Sequence, residues 1–351
     1  MSGFSALPLL ALFAGSAGVI WVAGVALSKS TDALDGRLGL GSALGGLILL
    51  AFATNLPEVA ITVTAAIKGN LDLAVGNLLG GIAIQTLVLA ALDAAGKGPR
   101  SLTFLASSLV LALEGVMVVA ISVTALMTTQ LPVKTNVAGV SPGTVLIVVL
   151  WVGCLWVINR ARASLRWKVE APESDPGRTR PEKSSGADPQ PHEDRSTAVV
   201  AGIFGLAALA TLVAGYAIEE SGNALAGKAG LTGAVFGATI LAAATSLPEL
   251  STGLAAVKLG DRQLAISDIF GGNAFLPVLF ILADLIGGRP ALASAKPTDL
   301  LMIGLGVLLT AIYVAGLILR PTRRWARLGP DSIAVIVTYG LGILGLVAIG
   351  G

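Results

Sequence analysis

Ala53-Thr54-Asn55-Leu56-Pro57-Glu58 and Ala244-Thr245-Ser246-Leu247-Pro248-Glu249 are one hexapeptide pattern met twice. A fixed offset of 191 positions, from Ala53 to Ala244, carries the first onto the second. The register holds without a gap through Gly69 and Gly260, Leu73-Ala74 and Leu264-Ala265, then Gly80-Gly81 and Gly271-Gly272. Agreement over such a length marks an internal repeat, and a repeat governs every later reading of the fold.

The repeats sit in a chain built for lipid. Of 351 residues, 54% are hydrophobic and only 13% charged; an ordinary soluble domain carries about 25% charged residues. Mean hydropathy is +0.84. The 44 glycines suit close helix contacts within a bilayer. One cysteine, Cys154, excludes a disulfide scaffold and reads as inert packing. A net charge of +2 excludes a nucleic-acid binder.

Apolar runs of about 18 to 28 residues, each long enough to cross the hydrocarbon as a helix, recur along the chain. Ten are expected: about 6–27, 39–67, 71–95, 101–127, 141–159, 197–219, 231–258, 262–287, 298–319 and 331–350. Period-two alternation is absent, which argues against a barrel. The first run lacks a basic leader and reads as a span, not a cleaved signal.

Residues 160–196 break the pattern with Arg160, Arg162, Arg166, Lys168, Arg178, Arg180, Lys183 and Arg195 among acids, Pro and Ser. This composition predicts a solvated linker between two halves, 1–159 and 197–351. His192, the single histidine, falls there and reads as a surface residue. Lys and Arg concentrate in loops after odd-numbered spans, as at Lys97, Arg100, Lys258, Arg262, Arg320 and Arg324. Loops after even-numbered spans hold only Lys68, Lys134, Lys228, Arg289 and Lys296. The positive-inside rule then places the linker in the cytoplasm and both termini outside, in a multi-pass protein of the plasma membrane.

Five spans per half is an odd number, so the second half enters the membrane from the opposite side. The expected fold is an all-α membrane protein of ten helices. They form two inverted five-helix repeats, with the repeated stretches at about 39–95 and 231–287 and broken helices at the midplane. That is the architecture of secondary transporters, whose ion sites lie at the repeat interface.

Glu58 and Glu249 fall deep in the second and seventh spans, where a carboxylate is costly and marks function. Each follows a proline. Pro57 and Pro248 donate no backbone hydrogen bond and clash with the carbonyl one turn earlier, so each helix should kink. Freed carbonyls then join the hydroxyls of Thr54 and Thr245. Two carboxylates, two hydroxyls and several carbonyls make an all-oxygen site suited to a hard cation. With no His or Cys beside them, zinc and copper fit poorly. Two carboxylates balance one Ca²⁺; left empty they repel, and protons or monovalent cations take its place. Mutual exclusion of this kind is what antiport needs. Counting turns from Asn77 puts Asn77, Gly81 and Gln85 on one helix face, and Asp268, Gly272 and Leu276 on its counterpart. Asn77 and Asp268 are expected to line or brace the site, and Gly80-Gly81 and Gly271-Gly272 to let the backbone approach the break. Glu114, near the middle of the fourth span, either carries protons or bonds a neighbouring helix. Asp93 and Asp284, repeat mates near span ends, are expected to anchor at the interface.

The two Thr-x-Leu-Pro-Glu motifs, with Asn77-Leu-Leu-Gly-Gly and Asp268-Ile-Phe-Gly-Gly, resemble the alpha-repeats of the cation/calcium antiporter superfamily. The resemblance implies a calcium site made by Glu58, Glu249, Thr54 and Thr245 that overlaps sodium sites. The sequence departs from the family pattern in several places. Gly81 and Gly272 stand where the family has Ser, Gln85 and Leu276 where it has Asn or Asp, Asn55 and not Ser246 departs from the motif serine, and Asp268 replaces an Asn. Fewer small oxygen ligands argue against a full sodium set. The expectation is therefore exchange of Ca²⁺ or a related cation for H⁺, with Na⁺ next. A Na⁺ or K⁺/H⁺ exchanger on the same fold is the alternative, and a channel a weaker one. No histidine lies in a span and no Gly-x-Ser-x-Gly occurs, so an intramembrane enzyme is not expected. No cofactor is implied beyond the transported ions. The partners are inorganic cations and lipid, the chain acting as a monomer or homodimer.

Overall fold

The computed structural model describes residues 4–38, 51–106, 108–132, 136–164 and 196–350. The predicted linker from 165 to 195, with His192 and six of its eight basic residues, lies outside them, as do Lys134 and the start of the second span at 39–50. Among the described residues the chain is helical, with no strand and two isolated bridges, Val137–Val140 and Trp325–Leu328.

In order, the helices are α1 (Ala6–Leu38), α2 (Leu56–Ile67), α3 (Leu71–Ala95), α4 (Leu102–Ala106), α5 (Leu109–Thr128), α6 (Pro142–Ser164) and α7 (Thr197–Ala229). Then follow α8 (Gly233–Phe236), a π turn (Gly237–Leu241), α9 (Ala242–Thr245), α10 (Leu247–Leu259) and α11 (Arg262–Phe275). A 3₁₀ turn (Leu276–Leu279) leads to α12 (Phe280–Gly287), and α13 (Pro297–Leu319) and α14 (Pro330–Gly350) close the chain. Eight helices among the described residues are long and apolar enough to cross a membrane, or nine when the pair bent by 45° at Ser246 counts as one span.

Several expected boundaries move. α1 and α7 run on to Leu38 and Ala229, past the apolar runs that define them, because helix continues wherever backbone bonding is not interrupted. The expected fourth span is broken: α4 ends at Ala106, and α5 starts afresh with Ser108 accepting from the Val110 N–H. Glu114 is therefore in the second turn of α5, not near the middle of a long helix. α6 continues to Ser164, so Arg160 and Arg162 are helical and not part of a solvated linker.

The packing divides. The main apolar core joins α3, α5, α6 and α10 to α14. α1 and α7 share none of it. They pack on each other and meet the rest through two small clusters, one around Ile20, Ile61, Ala214 and Ile218, the other around Ala23, Leu27, Ala53 and Leu56. Where they reach the broken helices, side chains shrink to hydrogen. A Cβ on Gly24 of α1 would stand 2.9 Å from Pro248 Cβ, and one on Gly215 of α7 would stand 2.8 Å from Ala60 Cβ and 3.2 Å from the Pro57 carbonyl. Gly24 and Gly215 are separated by the same 191 positions as Pro57 and Pro248. Each outer helix thus rests on the proline break of the other half.

Asp93 and Asp284 show a second exchange between halves, and both are buried where an interfacial position was expected. Asp93 accepts from Leu102 N at 2.7 Å, Gly329 N at 2.6 Å and Ser332 Oγ at 2.8 Å. Asp284 accepts from Ala291 N at 2.7 Å and Ser141 N at 3.1 Å. Gly329 and Ser141 directly precede the prolines that open α14 and α6. Loop N–H groups that water would otherwise satisfy fold over each acid and bury it. Just upstream, Ala138-Gly139 and Ala326-Arg327 make matching two-residue turns with positive φ, of 53° and 86° and of 49° and 71°.

Candidate ion-binding site

Each broken helix is built the same way. Asn55 (φ −88°, ψ 11°) and Ser246 (φ −80°, ψ 5°) interrupt the helical path just before Leu-Pro-Glu. Pro57 and Pro248 sit in the first turn beyond, where the missing N–H is harmless to the new helix but leaves an earlier carbonyl without its usual donor. The preceding carbonyls are gripped identically. The Ala51 carbonyl accepts from Thr54 Oγ1 at 3.3 Å and Asn55 Nδ2 at 2.6 Å. The Ala242 carbonyl accepts from Thr245 Oγ1 at 3.2 Å and Ser246 Oγ at 2.7 Å. Asn55 and Ser246 are thus assigned to holding the break.

The acids meet across the two halves. Glu58 and Glu249 are both buried. Glu58 faces Thr245 and Gln85, while Glu249 faces Thr54. Each glutamate therefore looks toward the threonine of the other motif. Gln85 Nε2 lies 3.5 Å from Glu249 Oε1, and Glu249 is within electrostatic reach of both Glu58 and Asp268. Neither Glu58 oxygen, nor Glu249 Oε2, nor Gln85 Oε1 has a hydrogen-bond partner in the protein. Buried oxygens without donors are costly unless a cation or proton satisfies them. Among the described residues no three acids, histidines or cysteines gather as a metal cluster. Two buried carboxylates thus stand beside the hydroxyls of Thr54 and Thr245 and the amide of Gln85.

Asn77 is buried with both amide atoms unpartnered, on the face of α3 that meets the π turn. Asp268 is held from the side by Thr252, whose hydroxyl lies 2.6 Å from Asp268 Oδ2 and 3.2 Å from the Glu249 carbonyl. Thr252 escapes a motif search because it lies off the repeat pattern; its mate is Ile61. The four glycines divide by role. A Cβ on Gly80 would be 2.3 Å from Ala238 Cα, so α3 and the π turn touch backbone to backbone, whereas Gly271 would meet only Ala51 Cβ at 3.6 Å. A Cβ on Gly272 would face Asn55 Nδ2 at 3.1 Å and Gln85 Oε1 at 3.2 Å, and one on Gly81 would face Leu276 Cδ1 at 3.0 Å.

Glu114 is not brought to this centre. Its Oε1 accepts from Arg162 at 2.7 Å, and the same guanidinium reaches Ser267 Oγ at 3.3 Å. Of the two roles left open for it, the bond to a neighbouring helix is the one observed. Arg162 was unreadable as its partner, because the composition change at 160 suggests solvent. A second buried polar contact, Asn273 Nδ2 to Thr86 Oγ1 at 2.9 Å, also falls outside the motif.

A family profile described as "Sodium/calcium exchanger protein" matches residues 8–162 and 199–348. The chain belongs to that family of cation/calcium exchangers: a transporter family, not an enzyme family, and the protein is an integral membrane protein. It is 26% identical over 264 residues to the inner membrane protein YrbG of Escherichia coli (strain K12), covering 74% of this chain and 72% of that one. It is 28% identical over 241 residues to CaxA of Alkalimonas amylolytica, a proposed antiporter, covering 68% of each. Among solved structures it resembles the H⁺/Ca²⁺ exchanger CAX at a TM-score of 0.68 and 12% identity, covering 96% of this chain and 82% of that one. It resembles the sodium–calcium exchanger NCX_Mj at 0.62 and 15% identity, covering 97% and 99%. The latter two likenesses establish the fold.

Proposed function

We infer that the chain is a secondary-active antiporter exchanging Ca²⁺, or a closely related cation, for H⁺ or Na⁺ by alternating access. The observation that carries this reading is the crossed placement of Glu58 beside Thr245 and of Glu249 beside Thr54, with both Glu58 oxygens and Glu249 Oε2 buried and without a donor from the protein. A cation bound there is held by both halves at once, and its charge is balanced by one carboxylate from each. Thr54, Thr245, Glu58 and Glu249 are its ligands together with break carbonyls. Gln85, Asn77 and Asp268 complete or brace the shell. An empty site carries two uncompensated buried charges and resists crossing between states; a cation or counter-ions remove that barrier.

Protons are the favoured counter-ion. Gly81 and Gly272 bring no hydroxyl, and Leu276 fills the position opposite Gln85 with hydrocarbon, so few small oxygens remain for sodium. The same reading takes the chain as ten spans in two inverted halves, the first ending with α6 at Ser164 and the second running over 197–351. A cytoplasmic linker beyond Ser164 joins them, both termini lie outside, and the protein resides in the plasma membrane.

The test is uptake of radiolabelled Ca²⁺ into proteoliposomes under an outward gradient of either Na⁺ or H⁺. Uptake driven by H⁺, and its loss in Glu58→Gln and in Glu249→Gln with normal folding, is expected. Uptake driven only by Na⁺ overturns the counter-ion, and wild-type flux from either glutamine variant overturns the site.

A further inference from the structure

α1 and α7 form a body of their own, joined to the rest by small apolar clusters and glycine–proline contacts. Such contacts resist sliding weakly, because they interlock few side chains. One end of this body is tied differently. Lys68, which caps α2, lies 2.6 Å from Glu219 Oε2 and also contacts Glu220, both on α7. Its ammonium stands 5.1 Å from the Tyr216 ring centre, again on α7. Two residues on, Asn70 Nδ2 reaches Asn223 Oδ1 at 3.3 Å. Glu219 is fully buried and Lys68 one-third exposed. Losing the lysine would leave a buried carboxylate without its cation, which is far more costly than losing a surface pair.

The repeat supplies the contrast. The mate of Lys68 is Leu259 at the end of α10, 87% exposed and unable to form an ion pair. The connection is therefore one-sided. α2 runs unbroken from Glu58 to Ile67 and Lys68 caps it, so whatever fixes Lys68 to α7 also fixes the glutamate-bearing helix to the outer body.

We propose that Lys68, Glu219 and Glu220 form a latch that biases the antiporter toward the state closed at the Lys68 end. Lys68 is a positioning residue here and touches no transported ion. The proposal rests on alternating access, since a latch matters only where two bodies move. Releasing it raises the population open at that end, and cation affinity measured from that face improves while affinity from the other face declines.

The experiment uses Lys68→Gln, Glu219→Gln, their double variant and Lys68→Arg, each reconstituted with known orientation. Apparent affinity is read separately from each face, and hydrogen exchange is followed across 213–224. The expected result is a shift of about fivefold in opposite directions on the two faces for either single neutral variant. The double variant adds little, since both remove one interaction, and Lys68→Arg returns toward wild type. Exchange across 213–224 should quicken about tenfold. Equal losses on both faces would mean that the pair only supports folding, and unchanged exchange across 213–224 would overturn the latch with or without flux. Wild type without cation flux defeats the antiport reading instead, leaving hydrogen exchange to decide the latch.

Discussion

The helix that carries Glu58 and the helix that carries Glu249 break alike but are supported unlike. At the breaks, threonine and a second polar side chain grip the carbonyl one turn back with distances that agree to about a tenth of an ångström in each comparison. Away from them the halves diverge. α3 presses Gly80 onto the backbone at Ala238, while α11 brings Gly271 only to ordinary contact with Ala51. Gln85 crosses toward Glu249, whereas its mate Leu276 lies against Gly81. The chemistry at the centre is held to a common geometry, and the surroundings are free to differ. The two breaks are equivalent in geometry and the two flanks are not.

The largest expected effect tests the supporting helices. Gly80→Ala places a methyl inside backbone van der Waals distance, so α3 and the π turn must separate. Overpacking of this kind costs about 1–3 kcal/mol or more, and loss of monodisperse protein or a markedly lower melting midpoint is expected. Gly271→Ala should stay within about 0.5 kcal/mol of wild type, because its contact is ordinary and alanine favours helix. Equal damage from the two would show that the halves pack alike.

That asymmetry was not legible in the sequence, although the breaks were. Pro57 and Pro248 announce a kink through the chemistry of proline, and the acids beside them announce a site through the cost of burying charge. Both signals are local. Gly80 and Gly271 belong to one pattern, and only the approach of the π turn separates them. The start of α5 at Ser108 was hidden for a related reason: hydropathy runs unbroken through 101–127, and the division depends on a serine cap. Arg162 looked solvated beside other arginines until Glu114 and Ser267 supplied its partners. Gly24 and Gly215 were open to detection, since they obey the offset of the motif, but glycine is so common here that one more pair carries little weight alone.

A smaller effect is expected at the buried acids that cap the opposite halves. Asp93 gathers three hydrogen bonds, with Arg324 at 3.6 Å from its Oδ1, whereas Asp284 gathers two from backbone N–H groups. Hydrogen bonds to a charged acceptor contribute about 1.5–3 kcal/mol each, and an amide in place of the carboxylate turns one acceptor into a donor facing donors. Asp93→Asn should therefore lower the melting midpoint more than Asp284→Asn, with both proteins still assembling. The reverse order would place the tighter connection between halves at the α6 end.

The smallest effect lies at the site itself, between Gln85 and Leu276. Gln85 Nε2 is at the outer limit of a hydrogen bond to Glu249, so it orients that carboxylate without neutralising it. Gln85→Leu should weaken apparent cation affinity about tenfold, the equivalent of one ordinary hydrogen bond near a charge, while leaving the protein folded. Leu276→Gln puts an amide where hydrocarbon now touches Gly81, and Glu58 already has Thr245 and Gln85 facing it; a change of about twofold or less is expected, since no existing ligand is removed. The pair is read by titrating cation binding in both variants under one buffer. If Leu276→Gln costs as much as Gln85→Leu, both flanks shape the ion shell and the two glutamates are equivalent. If only Gln85→Leu does, Glu249 is the glutamate whose geometry the flank controls, and the cation is held by a site that is symmetric at its breaks and one-sided in its tuning.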